Sequence, residues 1–261
     1  ENAEITAEHA EDLIMLSAIM GGFTRVFAEK LLLLDGKTLS DGGSVAQSGV
    51  KRDKKKDKDK KTVLTIFVEG DTEVDFYKRM VASIRQKAGR GNCSIEIKNV
   101  KGVGNYQSKV CRIFENSVKK KHPDHYHIVA LCYDTDVFQY SRKPPVDWDA
   151  VTKALQSKGA DRIEQVRAEK SIEDWFLFDT DGLKQFLRIP MKTDITAYKG
   201  QRGLVQLFQK ANKSYIKGIQ CKGLVDALDM DKIFPHICGE IRVICDTIGV
   251  KCTDINERCK F

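Results

Sequence analysis

The spacing of apolar residues changes along the chain, and each pattern predicts a different kind of element. Over residues 9–34 apolar side chains recur at steps of three and four, which is the period of one buried helical face. Residues 35–61 are rich in glycine, serine and charge, and hold too few apolar groups to offset the cost of ordering. The pattern therefore predicts an N-terminal helical segment, residues 1–34, and a flexible lysine-rich linker, residues 35–61.

Short apolar runs alternate with stretches of helical spacing after this linker. The predicted strands are residues 63–68, 94–100, 127–133 and, from a weaker pattern, 162–166. The predicted helices are residues 73–86, 106–118, 149–158 and 171–187. This alternation predicts an α/β fold, a Rossmann-like parallel sheet flanked by helices, over residues 62–190. Residues 191–261 are mostly of helical spacing, so we expect a helical C-terminal extension.

Acidic side chains follow two of the predicted strands. Glu69 comes directly after the first strand, and Asp134 and Asp136 come after the third. Because functional groups collect at the carboxyl ends of parallel strands, we expect these three carboxylates at one edge of the sheet. Residues two apart at an extended strand end point the same way, so Asp134 and Asp136 can share one cation. Hard oxygen ligands of this kind suit Mg²⁺ or Mn²⁺.

The first of these acids lies in a more specific motif. Residues 67–77 read FVEGDTEVDFY, which resembles the VEG-x-T-[ED] signature of the OLD-type (overcoming lysogenization defect) nucleases. It is also similar to the smaller TOPRIM effectors of bacterial anti-phage defence systems such as the PARIS type. A Glu after the first strand and an Asp-x-Asp after a later strand are the pattern of TOPRIM domains in topoisomerases, primases and nucleases. The resemblance covers residues 63–181 and implies that residues 62–190 form a TOPRIM domain.

The resemblance also implies a set of site residues. The implied metal ligands are Glu69, Glu73, Asp134, Asp136 and Glu173. Glu173 lies in a Ser-Ile-Glu sequence that is similar to a T-x-E-like element of the OLD type, and Asp174 beside it is an alternative ligand. OLD-type sites hold a basic residue near the metals, and Lys199 in the sequence AYKGQRG is the candidate for it here. Glu69, Asp134, Asp136 and Lys199 are therefore the expected catalytic residues.

The implied chemistry is cleavage of phosphodiester bonds by two metal ions that activate a water and stabilise the leaving oxygen. We therefore expect a Mg²⁺- or Mn²⁺-dependent endonuclease acting on DNA or RNA, as an effector in anti-phage defence or abortive infection. The alternatives are a non-catalytic TOPRIM-like module that binds nucleic acid or a partner ATPase, and an RNA-processing enzyme. The sequence contains no Walker A motif, so an ATPase would have to be a separate partner.

The charge of the chain is concentrated in the linker. The formal net charge is +7, and residues 51–61 hold eight basic and three acidic residues, which leaves +2 for the rest of the chain. This lysine run is either a solvated tether or a segment that grips phosphates without sequence preference. No DNA-binding zinc or helix-turn-helix motif is evident in the sequence, so we expect the chain by itself to bind nucleic acid without sequence specificity.

Cysteines and apolar segments bear on the compartment and on assembly. The eight cysteines are spread through a long chain, which is typical of reduced thiols in the cytoplasm. The uncharged stretch 13–24 is too short for a bilayer span, so no membrane association is expected.

The N-terminal helix needs a surface to cover its apolar stripe, and the flexible linker allows it to reach one on another subunit. We therefore expect a homodimer or a hetero-complex. The stripe consists of Leu13, Leu16, Met20, Phe23, Phe27 and Leu31.

Overall fold

The computed structural model describes residues 60–89, 93–136, 146–216 and 222–250. All of these belong to one unit of the chain, residues 53–261. The predicted N-terminal helical segment, its proposed interface and all but the last two residues of the predicted linker lie outside the described residues.

Four strands form a parallel sheet in the order β2-β1-β3-β4. Their bounds are Thr62–Val68 for β1, Cys93–Asn99 for β2, Tyr126–Asp134 for β3 and Arg162–Ala168 for β4. Each bound lies within two residues of the prediction. The α/β class and the parallel sheet flanked by helices are thus confirmed. The two central strands, β1 and β3, are also the most continuously buried ones.

Helices follow the strands and make up the rest of the described fold. They are α1 Asp71–Ala88, α2 Tyr106–Ile113, α3 Trp148–Ser157, α4 Ile172–Phe176, α5 Thr180–Leu187, α6 Gly200–Lys210, α7 Lys222–Ala227, α8 Met230–Ile237 and α9 Arg242–Ile248. A π-helix, Phe114–Lys119, continues α2. In the described part of the chain no helix is both long and apolar enough to cross a membrane.

The single helix predicted over residues 171–187 is wrong, because the chain forms α4 and α5 with a break at Asp179. The buried Asp179 side chain accepts a hydrogen bond from the Gly182 N–H at 3.1 Å, which caps the start of α5. It also accepts one from the Asp229 N–H at 2.7 Å, at the start of α8. A contact from fifty residues away thus also holds the side chain that caps α5.

The sheet is buried on both faces. Leu64 and Ile66 of β1 belong to one apolar cluster, which includes α1 and residues of the C-terminal helices. Val63 and Phe67 belong to a second cluster, formed with α2 and α3. Because successive strand residues point to opposite faces, a continuous apolar run buries both. With both faces covered, the edge where the strands end is the part of the sheet open to polar side chains and solvent.

Candidate functional site

The end of β1 positions two of the expected ligands. Glu69 follows the strand, Gly70 is the N-cap of α1, and Glu73 lies in the first turn of that helix. A helix N-terminus favours negative charge, which helps to tolerate the Glu73 carboxylate although its residue is only 5% exposed. The spacing of four residues puts both carboxylates on one narrow cleft.

Asp134 brings a third carboxylate to the same cleft from the neighbouring strand. It is the last residue of β3, is 3% exposed, and accepts a hydrogen bond at Oδ1 from the Ile172 N–H at 2.9 Å. Its own N–H donates to Oε1 of Glu69 at 3.0 Å. The structure thus brings Glu69, Glu73 and Asp134 together in one cleft, as their positions at the ends of adjacent strands predicted.

Two tyrosines lie close to these carboxylates, and neither was identified from the sequence. Tyr77 lines the narrow cleft, and the Tyr106 hydroxyl donates to the Phe67 carbonyl at 3.1 Å and to the Cys132 carbonyl. Burial raises the pKa of both phenols, and the charge of nearby Asp134 raises it further. Both phenols are therefore neutral hydrogen-bond donors at physiological pH. The signal for Tyr77 was available, because it lies one helical turn after Glu73.

Asp136 lines a second, wider cleft of about 620 Å³, together with Asp174 and Lys199. The Asp136 N–H donates to the Lys170 carbonyl at 2.9 Å, which ties this segment to the loop after β4. Asp174 accepts a hydrogen bond from the Gly200 N–H at 2.8 Å. Asp134 and Asp136 therefore line different clefts, whereas their spacing had suggested a shared cation.

The structure separates the two adjacent acids that compete for the last ligand position. Glu173 is 0% exposed, and its Oε1 accepts a hydrogen bond from the Tyr215 hydroxyl at 2.8 Å. Asp174, one residue later on α4, lines the wider cleft with Lys199, which is exposed at the N-cap of α6. In this structure Asp174 is thus nearer to open solvent than Glu173.

The donor set suits a hard cation, although the geometry is not that of a closed metal cage. Among the described residues, no group of three or more His, Cys, Asp or Glu side chains is arranged to hold a metal ion. Mg²⁺ does not require one, because proteins often bind it through one or two carboxylates while it keeps several waters. Glu69 and Asp134, from adjacent strands, are the pair that fits this description.

A last observation concerns relatives. Comparison of the chain with models of protein families, with curated proteins and with solved structures found no match. The resemblance to TOPRIM domains therefore rests on the motif residues themselves, and the fold adds a parallel α/β sheet with carboxylates at the ends of its two central strands.

Proposed function

We propose that the protein is a Mg²⁺- or Mn²⁺-dependent endonuclease that hydrolyses phosphodiester bonds in DNA or RNA. The observation that carries this proposal is the shared cleft of Glu69, Glu73 and Asp134 at the carboxyl edge of the sheet. A site with three carboxylates repels phosphate unless cations fill it, and this edge is where open parallel sheets bind their ligands. The role as an anti-phage effector rests on the motif resemblance.

The chain holds two of the proposed ligands in place through its own backbone. The Ile172 N–H fixes the Asp134 carboxylate, and the Asp134 N–H fixes the Glu69 carboxylate. Such hydrogen bonds orient ligands before a cation arrives, which lowers the cost of binding it. A bound cation would lower the pKa of its water and stabilise the leaving oxygen. Lys199, which lines the adjacent cleft, supplies positive charge for the phosphate.

A module that binds nucleic acid or a partner ATPase without cleaving is the second candidate function. It would use the exposed basic side chain of Lys199 beside the carboxylates, and it would need no bound cation. The two candidates differ in a measurable way, because only the nuclease needs a cation for turnover.

Cleavage assays on the full chain test the proposal. The purified protein is incubated with plasmid, single-stranded DNA and total tRNA, each with Mn²⁺, Mg²⁺ or EDTA. We expect cleavage of at least one substrate with a metal and none with EDTA, and the substrate that is cut identifies DNA or RNA as the target. Glu69→Gln, which keeps an oxygen to accept the Asp134 N–H, should lower the rate about 100-fold or more.

Asp124→Asn is the matched control, because Asp124 is an exposed acid near the start of β3, at the opposite edge of the sheet. It should cleave at the wild-type rate. Cleavage in EDTA, or full activity of Glu69→Gln, would contradict the assigned site. An isolated chain that cuts none of the three substrates would contradict the nuclease proposal and favour the binding module.

A further inference from the structure

At the carboxyl edge of the sheet, two lysines flank the central carboxylates, which the motif did not predict. Lys101 lies two residues after β2, and Lys170 lies two residues after β4. Between them, Glu69 follows β1 and Asp134 ends β3. Because the strand order is β2-β1-β3-β4, the sequence of groups across this edge is lysine, carboxylate, carboxylate, lysine.

Both lysines have a strained backbone that their surroundings maintain. Their φ angles are 63° for Lys101 and 66° for Lys170, in the left-handed region that L side chains rarely adopt. The Lys101 N–H donates to Oδ1 of Asn99 at 2.7 Å, and the Lys170 N–H donates to Oγ1 of Thr135 at 2.8 Å. Conformations of this kind persist where the structure holds them, and they are concentrated at functional sites.

The loop that holds each lysine is hydrogen-bonded through its backbone to a segment that carries a carboxylate. The Gly102 N–H, next to Lys101, donates to the Glu69 carbonyl at 2.8 Å. On the other side, the Lys170 carbonyl accepts the Asp136 N–H at 2.9 Å. The backbone positions of the two lysines are thus fixed relative to the carboxylates, which preorganises the edge for a ligand that touches both.

The two lysines also open onto clefts on either side of the carboxylates. Lys101 lines a cleft of about 360 Å³ with Glu69 and Glu73, and Lys170 lines the cleft of about 620 Å³ that also holds Arg202. Both lysines are exposed. Within the part of the chain that the structure describes, neither ammonium group forms an ion pair, so both charges are available to an anion.

We propose that Lys101 and Lys170 bind backbone phosphates on opposite sides of the scissile bond, so that a nucleic-acid strand lies across the carboxyl edge from β2 to β4. This inference rests on the proposed function, and it deepens it by naming the path of the substrate. Adjacent strands are about 4.8 Å apart, so the outer strands are about 14 Å apart. That distance corresponds to about four nucleotide rises of 3.4 Å along one strand.

The salt dependence of binding tests this path. The plot of log K against log salt has a negative slope, and each phosphate contact that is lost makes this slope less steep by about 0.7 for a single strand. Labelled single-stranded DNA and RNA oligonucleotides are titrated by fluorescence anisotropy into full-length protein that carries Glu69→Gln, so that the probe stays intact. Lys101→Asn and Lys170→Asn are added singly and together, because asparagine tolerates the left-handed backbone. We expect each single substitution to make the slope less steep by about 0.7, and the double substitution by about 1.4.

Two further variants separate charge from position. Lys120→Gln removes an exposed lysine that lies after the π-helix and before β3, near the opposite edge of the sheet, and should leave the slope unchanged. Lys101→Arg and Lys170→Arg keep the charge and should preserve the wild-type slope. Thermal denaturation checks that each variant is folded. If the double variant is unfolded, the two single variants are sufficient for the test.

The outcomes separate this inference from the proposed nuclease function. An unchanged slope in the lysine variants, an equal loss in Lys120→Gln, or no binding by the parent protein would overturn the proposed path. If the slope becomes less steep as expected but wild-type protein cuts nothing with Mn²⁺ or Mg²⁺, the proposed binding path is supported and the nuclease proposal is wrong. Preferential binding of the DNA or the RNA probe indicates which polymer uses the surface.

Discussion

Removing the charge of Asp134 should remove most of the stabilisation of the protein by metal without unfolding it. In Asp134→Asn the remaining side-chain oxygen can still accept the Ile172 N–H, and the repulsion from the nearby carboxylates of Glu69 and Glu73 falls. We therefore expect the variant to be at least as stable as wild type in EDTA. Asp134→Ala should lose about 1–3 kcal/mol, because it leaves that buried N–H without its acceptor.

The size of the metal effect follows from linkage. A cation that binds only the folded state stabilises it by about 2.7 kcal/mol at one hundred times its dissociation constant. For a folded unit of this size, about 1 kcal/mol shifts the melting temperature by about 2–4 °C, so wild type should gain about 5–11 °C at saturating Mn²⁺. Because Asp134 is one of two proposed principal ligands, Asp134→Asn should lose most of this gain.

Thermal denaturation with increasing Mn²⁺ or Mg²⁺, and with EDTA as the reference, measures both quantities. Asp124→Asn serves as the control, since it removes an exposed carboxylate near the opposite edge of the sheet. It should keep the wild-type gain. If Asp134→Asn and wild type gain the same number of degrees, the cation binds elsewhere and the assigned site is wrong.

Three further predictions concern stability. Burial alone would raise the pKa of Glu96, but hydrogen bonds from two lysines and a histidine outweigh it and lower the pKa to about 2. Glu96→Gln should therefore cost on the order of 1 kcal/mol at neutral pH, and urea denaturation should show this difference vanish as the pH falls from about 4.5 towards 2. Tyr215→Phe removes the hydrogen bond to the buried Glu173 carboxylate and should lower the free energy of unfolding by about 1.5–3 kcal/mol; an unchanged urea midpoint would contradict this. Gly182→Ala would push a methyl group onto the Asp179 carboxylate and against a backbone carbonyl at 2.7 Å, so we expect a loss of about 1–3 kcal/mol in the same assay, with the Mn²⁺ response retained.

The sequence alone determined the strands of the sheet and the first pair of candidate site residues. Strand and helix periods differ, so the four strands and the helices α1, α2 and α3 were predictable from apolar spacing, whereas the C-terminal helices were expected only as a mostly helical stretch. Glu69 and Asp134 could be placed together because both lie at the carboxyl ends of apolar strands, and such ends meet at one edge of a parallel sheet. These inferences need only local periodicity and the general geometry of parallel sheets.

Tertiary structure decided which neighbouring acids share a cleft. Glu173 and Asp174 are adjacent in the sequence, yet one is buried against Tyr215 and the other lines the wider cleft. A helix turns by about 100° per residue, so the packing of α4 sets which of them faces solvent. Asp134 and Asp136 were likewise separated by contacts that their spacing does not encode.

The strand order, too, came only from the tertiary structure. The lysines that follow β2 and β4 are 69 positions apart in the sequence, and nothing local distinguishes them from the many other lysines of the chain. They flank the carboxylates because β2 and β4 are the outer strands of the sheet. Pairing between strands depends on contacts between residues distant in sequence, so the charge pattern across the edge becomes visible only when the sheet is assembled.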